Sequence, residues 1–249
     1  MSLTTTSALC LRKVDFSETS QILTLLTDKL GTVGAIAKGA KRAKSNIGGA
    51  LDIMCLYNVV LYDRSRRGTL SILAQAELLD FFPDARRKYA HFTVMERIRE
   101  LLLAIEIGPQ DGPSVLLLCV RALRALGDGD APEPVLAAFS WGLLRTLGVE
   151  PTLTHCVASG VEPSGKVEVS FSLREMGLLA PPHNERRDDI VRIAPRTLRA
   201  LQSLEADAPD GRIEVDAWAG ASSLLAWLVA AQGGRRLRTF APLDPVQAL

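Results

Sequence analysis

Residues 21–45 read QILTLLTDKLGTVGAIAKGAKRAKS: two short apolar stretches joined by a break that contains Gly, followed by a run of basic residues. The stretches Gln21–Thr27 and Thr32–Lys38 are rich in Ile, Leu, Val and Thr, which favour strands. Gly31 in the break supplies the positive φ angle that hairpin connections often need. The segment therefore predicts a β-hairpin whose second strand leads into a cationic turn.

Three more strand-like stretches accompany this hairpin, and they are Ala8–Val14, Met54–Tyr62 and Thr69–Leu78. Five strands with a longer connection after the third match the plan of an OB-fold, a small barrel that binds oligonucleotides across its face and loops. An SH3-like barrel or half of a sandwich also fits this spacing. We expect an N-terminal β domain over residues 1–80.

Apolar residues recur at helical spacing after Pro83. Helices are predicted over Ala85–Ile107, Ser114–Leu126, Val135–Leu147, Pro195–Leu204 and Ala217–Ala231. A loop is expected over residues 127–134, and Gly148 is a candidate C-cap. Residues 151–184 interrupt the helices with Gly, Pro and short β-like pieces. The predicted fold class is α+β, with a mainly α-helical domain over residues 81–249.

Composition limits the classes of protein. An apolar share of 47% supplies a core. Residues 1–99 hold 15 Lys and Arg against 9 Asp and Glu, whereas residues 100–249 hold 14 against 19, so a polyanion would meet the first part. No signal segment or run of 18 apolar residues is present, which favours the cytoplasm. Four widely spaced cysteines suit reduced core thiols.

Basic residues cluster in three places: the turn after the third predicted strand, the loop between the fourth and fifth, and the start of the first helix. No Asp or Glu occurs from Lys29 to Leu51, so the turn should face water or an anion. One interpretation is a track for phosphates, and the other is a solvated loop that keeps the protein soluble. The candidate nucleic-acid-binding residues are Lys38, Lys41, Arg42, Lys44, Arg64, Arg66, Arg67, Arg86 and Arg87.

Aromatic residues are only 5% of the chain. Tyr57 and Tyr62 could stack on bases if they point outward, but strand alternation allows either to be core. We therefore expect phosphate contact to outweigh base stacking, with weak sequence preference and strong salt dependence.

Candidates for catalysis are scarce. His91, His155 and His183 have no nucleophile or carboxylate at motif spacing. Gly34 and Gly39 imitate part of a phosphate-binding loop, but the Gly-Lys-Ser/Thr ending is missing. We expect no enzymatic activity, no catalytic residue and no cofactor.

A family resemblance follows from three co-linear segments: residues 16–22 (FSETSQI), residues 31–45 with their basic turn, and residues 49–51. Together they resemble the N-terminal domain of the RecO family. Weaker similarity extends to Gly148, Cys156, residues 177–179 and residues 234–239.

This resemblance implies a DNA repair and homologous recombination mediator in the cytoplasm, associated with the nucleoid. Such proteins have an N-terminal OB-fold and a helical C-terminal domain. They bind and anneal single-stranded DNA, with double strands a further possibility. They associate with RecR and help load RecA onto DNA coated by single-strand-binding protein. The alternative is a non-catalytic helical scaffold whose basic barrel meets an acidic protein partner.

Two finer expectations also come from the resemblance. Arg121 and Arg124 lie beside an apolar stripe of Leu117, Val120 and Leu123. They are candidates for binding the C-terminal tail of single-strand-binding protein, although a core stripe edged by solvated arginines fits equally. Many relatives carry a four-cysteine zinc site, whereas here only Cys156 and His183 stand at the corresponding positions, so we expect a zinc-finger-like segment over residues 151–184 that binds no metal.

Overall fold

A computed structural model of the chain describes residues 2–41, 47, 51–63, 69–163, 168–185, 187–206, 213–235 and 237–240. Its first five strands are β1 (Ser2–Asp15), β2 (Gln21–Thr27), β3 (Gly31–Ala37), β4 (Leu56–Asp63) and β5 (Ser71–Asp80). They form a closed barrel in the order β1-β2-β3-β5-β4. All neighbours pair antiparallel except β3 and β5, which pair in parallel.

Strand β1 is longer than the sequence predicts, because it serves two neighbours. Its first part pairs with β4, from Ser2 opposite Asp63 onward, and its second part pairs with β2. The register shifts between Cys10 and Arg12, and such an irregularity bends a strand and raises its twist. One bent strand therefore closes the barrel.

Gly31 is required at the turn between β2 and β3 for two reasons. Its φ of +65° lies in the left-handed region, and a Cβ there would approach the carbonyl oxygen of Ile107 to 2.2 Å. The same oxygen accepts a hydrogen bond of 2.8 Å from the N–H of Thr32. The predicted Gly turn is confirmed. The absence of a side chain at Gly31 also lets Ile107 and Gly108, which precede the helix over Gly112–Asp128, pack against it.

The residues divide into two compact units, the first comprising Met1–Met95 with Glu106–Asp128. It holds the barrel, a 3₁₀ turn over Asp84–Arg86 and helix α2 (Gly112–Asp128), which packs against β2 and β3. Helix α1 (Tyr89–Ala104) contributes residues to both units. The ranges 1–80 and 81–249 stay a prediction about domain organisation.

The second unit comprises Glu96–Ile105 with Gly129–Leu249. It contains α3 (Pro132–Thr146), α4 (Pro195–Glu205) and α5 (Val215–Gly233), and both α3 and α4 pack on α5. A four-stranded sheet in the order β6-β8-β7-β9 lies between α3 and α4 in the sequence. Its strands are β6 (Thr152–Cys156), β7 (Val169–Ser172), β8 (Gly177–Leu179) and β9 (Ile190–Ile193). No helix of the described part is both long and apolar enough to cross a membrane.

Two predicted helix bounds need correction. The helix predicted over Ala85–Ile107 is shorter, since α1 spans Tyr89–Ala104 after the 3₁₀ turn. The predicted loop over residues 127–134 is too long, since α2 continues to Asp128 and α3 begins at Pro132. A proline is tolerated there because the first helical turn has no partner for its N–H. The predicted helix end is displaced by one residue: the C-cap of α3 is Leu147, and Gly148 follows it with a φ of +70° and an N–H that donates to the carbonyl of Arg145.

Candidate nucleic-acid interface

The basic turn leaves the end of β3 at one rim of the barrel. Lys38 is exposed, and it has no ion-pair partner among the described residues. Gly39 adopts a φ of +70°, and the N–H of Lys41 donates 3.2 Å to the carbonyl of Thr19. The turn therefore lies against the connection between β1 and β2, and Lys38 projects to solvent beside it.

Lys41 differs from the sequence expectation. Its ammonium lies 2.5 Å from the carboxylate of Asp15, the last residue of β1. Hydrogen bonds from Lys41 and then from Gln21 lower the pKa of Asp15. The expectation that the whole turn lacks an acidic neighbour is wrong for Lys41, because a residue outside the acid-free segment reaches it through the fold.

Five of the predicted site residues lie outside the described part of the chain, and they are Arg42, Lys44, Arg64, Arg66 and Arg67. Their role in binding stays a prediction.

Arg86 and Arg87 have different surroundings. The guanidinium of Arg86 donates to the carbonyls of Phe81 at 2.6 Å, Ile53 at 2.9 Å and Met54 at 3.0 Å. These bonds give Arg86 a structural task, joining the 3₁₀ turn to the segment before β4. Arg87 is 78% exposed and pairs with Asp84 at 3.1 Å. Of the two, only Arg87 presents its charge to solvent.

Tyr57 and Tyr62 also lie in different environments. Tyr57 is buried, and its hydroxyl accepts a hydrogen bond of 2.8 Å from the N–H of Asp52, so it belongs to the core. Tyr62 is 43% exposed on the outward face of β4. Arg12, which the sequence analysis did not single out, is exposed on β1. Strand alternation could have found Arg12, but only with the shift in register after Cys10 known.

Helix α2 presents Leu117, Arg121 and Arg124 on one exposed face, since positions i, i+4 and i+7 align along a helix. Leu117 is 51% exposed, whereas Val120 and Leu123 are buried. The stripe is therefore part core and part surface, and the two predicted arginines share a helix face with its exposed member, Leu117.

Residues 151–184, which the family resemblance predicts to be a zinc-finger-like segment, contain Cys156 and His183. Cys156 is buried, and its sulfur accepts the N–H of Ala180 at 3.2 Å. Burial raises the pKa of this thiol, but hydrogen bonds from Ser159, Ala180 and Ala158 outweigh it and bring the pKa to about 7. Among the described residues, no three His, Cys, Asp or Glu side chains converge. A tetrahedral zinc site needs four.

The other three cysteines, Cys10, Cys55 and Cys119, are core residues like Cys156. All four are free and buried, and burial raises the pKa of Cys10 and Cys119 to about 12. Reduced core thiols therefore agree with the sequence prediction.

Together, a closed N-terminal barrel with a basic turn at its rim and a second unit of helices and a small sheet define a two-unit α+β protein. Residues 1–82 match the family described as Recombination protein O N terminal, and residues 86–239 match Recombination protein O C terminal. The chain belongs to the recombination protein O (RecO) family.

Three relatives illustrate the extent of the similarity. The DNA repair protein RecO of Salinibacter ruber is 37% identical over 153 residues, which is 61% of this chain and 58% of that protein. That of Rhodopirellula baltica is 30% identical over 213 residues, covering 84% and 78%. That of Synechococcus sp. (strain JA-3-3Ab) is 28% identical over 245 residues, covering 92% and 80%. The family resemblance drawn from the sequence is confirmed.

Proposed function

We propose that this chain is a DNA repair and recombination mediator that binds and anneals single-stranded DNA. The observation that carries the proposal is the position of the exposed Lys38, where β3 of a closed five-stranded barrel leads into a basic turn. Phosphate oxygens are the acceptors that such unpaired cations prefer. The names of its relatives support a role in DNA repair.

We further propose that the barrel is an OB-fold. The strand order β1-β2-β3-β5-β4 and the parallel pairing of β3 with β5 support this assignment. Residues 151–184 would then be a zinc-finger-like segment that folds without metal. Its strands β6, β7 and β8, and the ion pairs that Arg187, just beyond the segment, makes with Glu175 and Asp189, support a fold held by protein groups.

The proposed partners follow from the family. The chain would associate with RecR and help load RecA onto DNA coated by single-strand-binding protein, in the cytoplasm at the nucleoid. The tail of single-strand-binding protein would meet the exposed face of α2 with Leu117, Arg121 and Arg124. No covalent step is proposed, since the task is to exchange binding partners on DNA.

A charge-reversal experiment tests DNA binding. We expect the double variant Lys38→Glu/Arg42→Glu to bind a single-stranded oligonucleotide about tenfold or more weakly, with a shallower salt dependence, because phosphate contacts are lost. The matched control is Arg196→Glu/Arg199→Glu, which changes charge equally on an exposed face of α4. Fluorescence anisotropy across a salt series measures both.

The same experiment distinguishes DNA binding from the alternative function, a scaffold that binds an acidic protein partner. A parent protein that binds no oligonucleotide even at low salt would favour the scaffold with an acidic protein partner. Equal weakening by both double variants would place the interface elsewhere. Annealing itself is measured by energy transfer between two labelled complementary strands.

A further inference from the structure

A short segment that follows α5 returns along helix α1 within the second unit. This segment, here called the clip, comprises Arg235 and residues 237–240. At its start, the guanidinium of Arg235 donates a hydrogen bond of 2.8 Å to the carbonyl of Leu103. At its end, the ring centroid of Phe240 lies 5.2 Å from Cζ of Arg97. The clip therefore runs antiparallel to α1, from Leu103 back to Arg97.

The middle of the clip is held by one carboxylate. Glu100 accepts hydrogen bonds from the N–H of Arg238 at 2.5 Å and from the N–H of Thr239 at 2.9 Å, and the hydroxyl of Thr239 donates to the same carboxylate. Burial raises the pKa of Glu100, but the hydrogen bonds from Thr239 and Arg238 outweigh it and hold this pKa below its usual range. Glu100 is therefore charged at neutral pH, and a negative charge placed on Thr239 would lie directly beside it.

Thr239 is accessible to another protein, whereas its neighbours anchor the clip. Arg238 and Thr239 are exposed, but Leu237 and Phe240 are each only 8% exposed. The clip lies outside the helices and strands, and short segments of this kind open locally at a lower free energy than the core. An enzyme can therefore take up the clip as an extended chain and reach the Thr239 hydroxyl.

The sequence around Thr239 is typical of substrates of protein kinases that select basic residues. It reads RRLRTF over residues 235–240, which places arginines one, three and four positions before the hydroxyl. Such kinases recognise the charge pattern beside the acceptor residue. Ser45 and Thr69 also follow basic residues, so the sequence alone does not single out Thr239. The hydrogen bond from Thr239 to Glu100 does, because it couples the acceptor hydroxyl to the contact that holds the clip.

We propose that Thr239 is a phosphorylation site and that its modification opens the clip. A protein kinase that selects basic sites transfers the γ-phosphoryl group of ATP to Oγ1 of Thr239. A new P–O bond forms there, the bond to ADP breaks, and the hydroxyl proton passes to an aspartate of the kinase. The phosphate carries a charge of about −1.5 to −2 at pH 7, cannot donate to Glu100 as the hydroxyl does, and is repelled by it. The clip then leaves α1, and Phe240 leaves Arg97. This regulation does not depend on the proposed function.

The modification is tested on the full chain. The protein is incubated with magnesium, ATP and the catalytic subunit of cAMP-dependent protein kinase, which selects basic sites, and the phosphates are located by tandem mass spectrometry. We expect phosphate on Thr239 in the parent, and none on the peptide that contains position 239 in the variant Thr239→Val. Phosphate confined to Ser45 or Thr69, or found at none of the three residues, would overturn the proposal.

The opening of the clip is tested by hydrogen exchange, which reports on the amides of Arg238 and Thr239 directly. After correction for intrinsic rates, these amides should exchange about tenfold or more faster in the phosphorylated protein and in Thr239→Glu than in the parent, because their bonds to Glu100 are lost. The matched control is Thr154→Glu, which adds a charge at an exposed threonine of β6 and should leave exchange in the clip within about twofold. Unchanged protection in the phosphorylated protein would show that the clip stays closed and that the proposal is wrong.

A second substitution distinguishes charge repulsion from a general loss of structure. In Glu100→Gln/Thr239→Glu, the amide introduced at position 100 can accept from the two backbone N–H groups and donate to the new carboxylate. Protection of the clip should therefore return to within about threefold of the parent. Exchange as fast as in Thr239→Glu alone would contradict repulsion as the cause. Circular dichroism verifies that the variants are folded, and the phosphorylated parent gives the same measurement without any substitution.

Discussion

The Nζ atom of Lys41 lies 2.5 Å from Oδ2 of Asp15. This pair ties the basic turn after β3 to the last residue of β1, and it occupies a cation that a phosphate could otherwise use. Because both groups are partly exposed, the pair is open to competition from solvent ions and from a polyanion.

Removing the carboxylate should therefore strengthen nucleic-acid binding. We expect Asp15→Asn to bind a single-stranded oligonucleotide about two- to fivefold more tightly at low salt, with a steeper salt dependence, because Lys41 becomes available to phosphate. The control is Asp52→Asn, which breaks the similar pair of Lys13 with Asp52 at 2.7 Å. An affinity unchanged by Asp15→Asn would mean that Lys41 stays away from the DNA.

Arg86 should matter for stability and not for DNA binding. Replacing it with Lys removes the planar fork that reaches three carbonyls, and we expect a loss of about 2–4 kcal/mol in the free energy of unfolding. Arg87→Lys, at an exposed position, should stay within about 0.5 kcal/mol. Urea denaturation measures both. A weaker DNA affinity of folded Arg86→Lys, at unchanged stability, would contradict this assignment.

Stability in the second unit should depend on pH through Asp189. Hydrogen bonds from Arg187 and Ser172 hold the pKa of Asp189 well below its usual range, against the effect of burial. A carboxyl whose folded pKa is lowered contributes stability above its unfolded pKa of about 4, and this contribution declines as pH falls toward the folded value.

We therefore expect Asp189→Asn to cost about 1–3 kcal/mol near pH 7, with the difference from the parent shrinking below about pH 4. Asp188→Asn is the control, since Asp188 is 93% exposed and its ion pair with Arg174 is long, at 3.8 Å. Chemical denaturation at a series of pH values measures the difference. A difference in the free energy of unfolding that persists unchanged at low pH would show that packing, not ionisation, is responsible.

Alanine substitutions at Gly31 and Gly129 distinguish the cost of backbone strain from the cost of a steric clash. Both have positive φ angles, but nothing lies within 4 Å of a Cβ built on Gly129, whereas Gly31 would meet the Ile107 carbonyl. We expect Gly129→Ala to cost about 1 kcal/mol and Gly31→Ala at least about 3 kcal/mol, measured by thermal unfolding. Similar costs at both positions would show that the chain around Ile107 moves away.

Local features of the barrel were accessible from the sequence. Strand β2 agrees with the prediction, residue for residue, because its strand-favouring composition and the turn residues after it are local information. The Gly31 turn and the Gly148 helix end were accessible for the same reason, since each requires a backbone conformation that favours glycine.

Features that depend on register were not accessible. Asp15 reaches Lys41 only because β1 pairs with β2 and the turn after β3 folds back toward their connection. The task of Arg86 depends on carbonyls of a segment distant in sequence.

The double pairing of β1 also has a consequence for the order of events during synthesis. The hairpin of β2 and β3 and its contact with β1 involve nearby residues, but the other side of β1 must wait for β4, with Ser2 meeting Asp63. Closing such a long span carries an entropic cost before any contact offsets it, which slows folding. Until β4 has emerged from the ribosome, the first part of β1 is an unpaired edge, and that edge is where a nascent chain of this protein is most exposed to mispairing.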